Sequence, residues 1–129
     1  MRSPIVADRV LIAIAHYLMT HLRPYDGVFR FGREEFLVCL PGANLEAGRG
    51  VIDRMCGELG SLPHEAEDKR TFHVTASFGL TLLVPELPVE QSIDRADKAL
   101  YAAKAKGRNR AVIWDESMGE RQALPEVLA

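Results

Sequence analysis

The sequence predicts an α/β fold, an α+β sandwich in which helices pack on a mostly antiparallel sheet, and three observations predict it. Apolar residues recur at helical spacing in three separate stretches, two short apolar runs flank Gly32-Arg33, and residues 72–82 alternate apolar and polar almost without a break. The resulting order of helix, hairpin, helix, strand, helix and strand has no internal repeat, and it leaves apolar helix faces that a sheet must cover.

Val6, Val10, Ala13, Ile14, Tyr17, Leu18 and Leu22 fall at three- and four-residue steps, which predicts a helix of about 16 residues with one apolar stripe. Pro24 ends it, because proline lacks an N–H and disfavours helix in the residue before it. Val28-Phe29-Arg30-Phe31 and Phe36-Leu37-Val38-Cys39-Leu40 then read as strands joined by a two-residue turn at Gly32-Arg33, with Pro41-Gly42 closing the second. Asn44 is positioned to cap a second helix whose inward residues are Leu45, Val51, Ile52, Met55 and Leu59. Gly48 and Gly50 each cost about 1 kcal/mol against alanine, so its first turns are expected to fray.

The polar stretch 61–70 suits a loop. In 72–82, Phe72, Val74, Ala76, Phe78, Leu80 and Leu82 share one face of a half-buried strand, with His73, Thr75, Ser77, Gly79 and Thr81 on the other. After Pro85 and Pro88, a third stripe of Val89, Ile93, Ala96, Leu100 and Ala103 runs to Gly107, and Ala111-Val112-Ile113-Trp114 forms a last strand.

At 129 residues the chain suits one domain, taken as 1–114 with a tail over 115–129. Eighteen acidic against sixteen basic residues give no global attraction to nucleic acid or an anionic membrane. Any phosphate recognition must therefore be local. Cys39 and Cys56 lack metal-ligand spacing and sit in apolar patterns, so buried free thiols in a reducing compartment are expected. With no apolar run of about 18 residues and no signal-peptide pattern at the N-terminus, the cytoplasm is the expected location. His16, His21, His64 and His73 show no paired metal spacing and read as structural or solvent-facing.

Several charged residues admit a chemical and a bland reading. Glu34 and Glu35, taken by themselves, read as the charge that a solvated hairpin tip carries. Lys104 and Arg108, four apart near a helix C-terminus, can face one polyphosphate or merely complement the helix dipole. Arg23 and Asp26 can frame a guanine, the guanidinium on O6 and N7 and the carboxylate on the N–H edge, or form a surface ion pair.

Arg30-Phe31-Gly32-Arg33-Glu34-Glu35-Phe36 preceded by Arg23-Pro24-Tyr25-Asp26 resembles the signature of the GGDEF domain, the diguanylate cyclase family. Three further blocks are similar to the family's in order: Ala7-Asp8-Arg9-Val10-Leu11, Thr75-Ala76-Ser77-Phe78-Gly79, and the run from Asp97-Lys98-Ala99-Leu100-Tyr101 through Lys104 to Gly107-Arg108-Asn109. The resemblance implies a nucleotidyl-cyclase-like sheet whose first strand and helix are missing here, together with an aspartate that shares the metal. It implies that Asp8, Gly32, Lys104 and Arg108 are remnants of a GTP site, that Glu34 and Glu35 are vestigial catalytic groups with Glu34 holding magnesium weakly if at all, and that Arg23, Asp26 and Arg54 bind cyclic di-GMP.

Arg33 replaces the second glycine of that signature. If the turn needs positive φ, the arginine is strained by about 1–3 kcal/mol and its side chain projects where a nucleotide lies. The expected function is therefore a catalytically inactive cyclic di-GMP receptor or regulatory module in bacterial second-messenger signalling. A fragment of an active cyclase joining two GTP molecules and a protein-interaction scaffold are the alternatives. Open sheet edges further predict a homo-oligomer, or a partner protein that completes the sheet. Magnesium is expected only if a nucleotide site survives, and neither nucleic acid nor a membrane is an expected partner.

Overall fold

The computed structural model describes residues 4–119, and side chains from Val6 onward. The expected tail beyond Gly119 lies outside the described residues. Two compact units are present, one of Met1–Ala43 with Glu58–Val74 and the other of Asn44–Gly57 with Thr75–Ala129.

In the first unit, helix α1 spans Pro4–His21. Every residue of the predicted stripe is buried or half-buried, with Val6 and Leu18 at 2 % exposure, while Ile12 and Met19 face outward. The Tyr17 hydroxyl donates to Glu58 Oε1, and the Tyr17 ring stacks on His21 at 4.1 Å. Strands β1 (Gly27–Arg30) and β2 (Phe36–Cys39) pair antiparallel from Gly27 opposite Cys39 to Arg30 opposite Phe36.

The connection between them is not a two-residue turn but a loop over 31–35. Its cause is the Arg30 side chain, whose Nε donates to the Gly32 carbonyl at 2.8 Å and whose Nη2 donates to the Arg33 carbonyl. The Phe31 and Gly32 amides close the other side on the Glu35 carbonyl at 3.0 and 3.3 Å. Neither Gly32 nor Arg33 takes positive φ, so the strain anticipated at Arg33 does not arise. Cys39 is exposed rather than buried. Its cross-strand partner, Gly27, has no side chain to cover it.

The polar stretch predicted as a loop contains a second small hairpin, β3 (His64–Glu65) against β4 (Thr71–Phe72). His64 is buried beside the Phe72 ring, with centroids 5.5 Å apart. The continuous strand predicted over 72–82 is interrupted. Residues 73–77 keep the alternation of exposed and half-buried positions as far as Ala76 but join no ladder among the described residues. An extended segment becomes a strand only when a neighbour accepts its backbone hydrogen bonds.

In the second unit, α2 (Leu45–Ser61, of which 45–57 belong here) begins where predicted. Asn44 Oδ1 accepts from the Ala47 amide at 2.8 Å. The helix runs unbroken through Gly48 and Gly50, contrary to the expected fraying, with Ile52, Met55 and Cys56 buried. The Asn44 cap and the burial of that face outweigh the glycine cost.

Strand β5 (Phe78–Leu80), helix α3 (Val89–Ala105) and β6 (Ala111–Ile113) form a βαβ unit in which β5 and β6 run parallel. The helix backbone lies directly on Gly79. A Cβ there would stand 2.0 Å from the Ala96 carbonyl oxygen and 2.3 Å from the Leu100 nitrogen. Small residues make this approach possible: Ala99 and Ala103 are fully buried and Ser92 nearly so. Val89 and Leu82, both predicted to face inward, are 55 % and 45 % exposed. Val89 is the first residue of α3 and Leu82 lies in the connection after β5, both outside the stretch that packs on Gly79.

Together with Val112, Ala99 and Ala103 form a core flanked by Ala102, Trp114 and Met118. After β6, Asp115 caps a 3-10 turn over Glu116–Met118, and the Gly119 carbonyl accepts from Lys98 Nζ and Trp114 Nε1, each at 3.2 Å. Among the described residues, no helix is long and apolar enough to cross a membrane.

Candidate functional site

The best-organised polar cluster of the first unit lies between the end of α1 and the start of β1. Pro24 ends the helix, and the Asp26 amide closes a turn on the Arg23 carbonyl at 3.0 Å. Inside that turn Asp26 is gripped by Arg23: Oδ2 accepts from the Arg23 amide at 2.7 Å, and Oδ1 accepts from Arg23 Nη2 at 2.7 Å and Nε at 3.1 Å. Arg23 Nη2 also donates to the Pro41 carbonyl at 2.9 Å, and the guanidinium lies over the Tyr25 ring at 4.4 Å.

The Asp26 side chain is only 2 % exposed against 44 % for Arg23. The hydrogen bonds from Arg23 hold the Asp26 carboxyl below the ordinary carboxylate range despite the opposing effect of burial, and they raise Arg23 in turn. The sequence placed these residues together to frame a base. In the structure they are together, but the carboxylate is turned onto the guanidinium and orients it.

On the 31–35 loop Glu34 is exposed and Glu35 half-buried. Glu35 Oε1 would lie 2.9 Å from a Cβ at Gly32, so the small residue leaves room for that carboxylate rather than supplying positive φ. Among the described residues, no three His, Cys, Asp or Glu side chains converge where they could hold a metal ion. The hard oxygen donors of Glu34 and Glu35 do match magnesium, which commonly takes one or two carboxylates and completes its shell with phosphate and water. Asp8 is exposed on α1. Arg30, which shapes the loop, carried no stronger sequence signal than an arginine at a strand end.

In the second unit, Arg54 is an exposed residue of α2. Lys104 lies in the last turn of α3, but Arg108 does not extend that helix. The chain reverses through Gly107 at φ 120° and Arg108 at φ 64°, with the Arg108 amide returning to the Ala103 carbonyl at 2.9 Å. Arg108 therefore stands beyond the helix that carries Lys104. The next residue, Asn109, is tied down by its amide to Ser77 Oγ at 3.2 Å and by its Oδ1 to the Cys56 thiol at 3.7 Å. Burial, and secondarily Asp53, pushes that thiol's pKa up.

Comparison with known proteins places these elements. The family model described as "Diguanylate cyclase, GGDEF domain" matches residues 5–110. Similar curated proteins include the diguanylate cyclase DgcP of Pseudomonas aeruginosa, 39 % identical over 106 residues, covering 82 % of this chain and 16 % of the relative. Diguanylate cyclase DgcZ of Escherichia coli is 34 % identical over 112 residues, covering 87 % and 38 %. The chain thus spans well under half the length of either relative.

Among solved structures, the GGDEF domain of DgcB from Caulobacter crescentus in complex with c-di-GMP superposes with a TM-score of 0.76 at 26 % identity, covering 82 % of this chain and 63 % of that one. Diguanylate cyclase SiaD in complex with its activator SiaC from Pseudomonas aeruginosa gives 0.77 at 37 % identity, covering 82 % and 40 %.

Proposed function

The chain belongs to the GGDEF family of diguanylate cyclase domains, and from that premise we propose that it is a catalytically silent member that receives cyclic di-GMP through Arg23 and the Asp26 that orients it, with Arg54 assigned to the same ligand by resemblance alone. The observation that carries this reading is the fixed Arg23 guanidinium. Asp26 and the Pro41 carbonyl hold it in place, so little side-chain entropy remains to be lost when a ligand arrives. Its Nη1 N–H groups, outside the contacts to Asp26 and Pro41, suit an acceptor on the O6 and N7 edge of guanine. The Tyr25 ring, 63 % exposed beside it, offers a flat surface for a base. The DgcB domain solved with c-di-GMP supports the same ligand class.

The silent part of the reading rests on Arg33, which puts a long cationic side chain on the loop where the family signature has glycine and where a nucleotide is expected to approach the backbone. Glu34 would hold magnesium with the help of nucleotide phosphates, and the ion would neutralise charge developing on them. Asp8, Gly32, Lys104 and Arg108 are assigned by resemblance to the remaining GTP contacts. The rival reading, an active cyclase, is favoured by the 39 % identity to DgcP and by the unstrained backbone at Arg33.

Calorimetric titration with cyclic di-GMP and with GTP tests the proposal, alongside a cyclase assay in magnesium or manganese. Cyclic di-GMP is expected to bind more tightly than GTP, Arg23→Ala to weaken it about 10- to 100-fold, and Arg54→Ala to weaken it as well. No cyclic di-GMP should form from GTP, with or without Arg33→Gly. Product formed by the unmodified chain establishes the rival, and unchanged affinity in Arg23→Ala removes the receptor site.

Each sheet of the described residues has two strands and so retains open edges. We assign those edges to pairing with a second copy or a partner protein, in a cytoplasmic setting; SiaD, solved with its activator SiaC, is a family member seen with a protein partner.

A further inference from the structure

The second unit carries a cluster of cations that the family signature does not explain. Arg49 from the start of α2, Lys106 from the end of α3 and Arg110 from the approach to β6 line an open cavity of about 430 Å³, together with the Asp115 carboxylate and with Ile113 and Met118 among its apolar lining. Neither Lys104 nor Arg108 lines it. The volume lies in the range of small-molecule sites, about 300–1,000 Å³.

Two of the three cations are already oriented. Arg49 Nε donates to both carboxylate oxygens of Asp53 at 3.2 and 3.3 Å. Arg110 Nε donates to the Arg108 carbonyl at 3.0 Å, and its Nη2 lies 3.0 Å from where a Cβ on Gly107 would stand. In both residues the terminal Nη groups carry the further donors that an anion would meet.

The cations are not needed to cap α3. The carbonyls of Ala102, Ala103 and Lys104 accept from the backbone amides of Lys106, Arg108 and Gly107, so the helix end is closed by the chain itself. Asp115, whose carboxylate is stabilised by the Ser117 amide at 2.9 Å and the Ser117 hydroxyl, offsets one of these charges and leaves the others. With Asp53 on Arg49 and Asp115 beside Lys106, the three cations from three elements keep a net positive charge over an apolar lining, which favours an anion there.

We propose that this groove binds an organic phosphate, with the phosphate on Arg49, Lys106 and Arg110 and a flat or apolar body against Ile113 and Met118.

The test is an NMR titration of the isotope-labelled full chain with pyrophosphate and, separately, with GMP. Both should shift the Lys106 and Arg110 amides saturably, and GMP should also move the Ile113 and Met118 methyls and bind more tightly. Lys106→Glu and Arg110→Glu should each weaken both ligands about tenfold or more. Lys69→Glu, the same charge change on an exposed turn of the first unit, should leave both affinities unaltered.

Absence of saturation, or an equal loss in Lys69→Glu, overturns the site in favour of diffuse charge. GMP binding that Lys104→Ala abolishes while Lys106→Glu spares it assigns the ligand elsewhere and overturns it too. Equal affinity for the two ligands overturns the part given to the apolar lining.

Discussion

Gly79→Ala tests the tightest packing in the molecule. The added methyl would sit 2.0 Å from the Ala96 carbonyl oxygen, whereas real Cβ contacts essentially never fall below 3.0 Å, so strand and helix must separate by 1.0 Å or more. The obstacle is helix backbone, including Leu100 Cα at 2.9 Å, and no rotamer change can relieve it. A radial gap of about 1 Å forfeits up to half of each dispersion contact it opens. Here it would open the interface that buries Ala99, Ala103 and Val112. Overpacking costs about 1–3 kcal/mol, and a backbone obstacle puts this case near 3. At about 4 °C per kcal/mol for a chain of this size, the melting temperature should fall by about 12 °C. Gly50→Ala is the internal control: it lies within α2 and a Cβ there meets nothing within 4 Å. Helix propensity then predicts stabilisation by about 0.5–1 kcal/mol. Circular dichroism melts of the two variants should move in opposite directions. A Gly79→Ala protein melting within about 2 °C of the parent would refute the packing argument.

Three other outcomes are expected. Because Arg23 depresses the folded-state pKa of Asp26, that carboxylate stabilises the fold above its unfolded value of about 3.9 and loses the contribution as pH falls through the folded value; urea midpoints should decline less steeply under acid in Asp26→Asn than in the parent, and identical slopes would sink the linkage. An alkylating reagent should modify exposed Cys39 in the native protein at once and Cys56, buried and with its thiol pKa raised, only on unfolding; mass spectrometry of the digested chain reads both. Light scattering at micromolar concentration should find an assembly larger than one chain, and a cooperative folded monomer would mean that the open strand edges need no partner.

The sequence exposed what local spacing controls. The α1 stripe, the Asn44 cap and the pairing of β1 with β2 are all written within a few consecutive residues, and all appear in the structure. The Arg23–Asp26 association was equally legible, being three residues apart across a proline. Its internal geometry was not, because nothing local says whether a carboxylate faces a ligand or its neighbour. The length of the 31–35 loop depends on where the Arg30 guanidinium finds carbonyls, and the break at 73–77 depends on the absence of a ladder partner there among the described residues. Neither has a periodicity to read. Arg49, Lys106 and Arg110 share no spacing either, since they come from three elements and meet only through the βαβ fold.

The reversal after α3 bears on what a motif match can mean. Gly107, Arg108 and Asn109 occupy left-handed conformations in succession at φ 120°, 64° and 49°. Only glycine adopts the first without penalty, and asparagine is among the few side chains that tolerate the last. Two letters of the Gly-Arg-Asn triplet are thus demanded by the turn, whatever the arginine between them touches. A lineage that had given up nucleotide chemistry would still be obliged to keep them, so this triplet attests to architecture, and ancestry of activity has to be judged from positions that the backbone leaves free to drift.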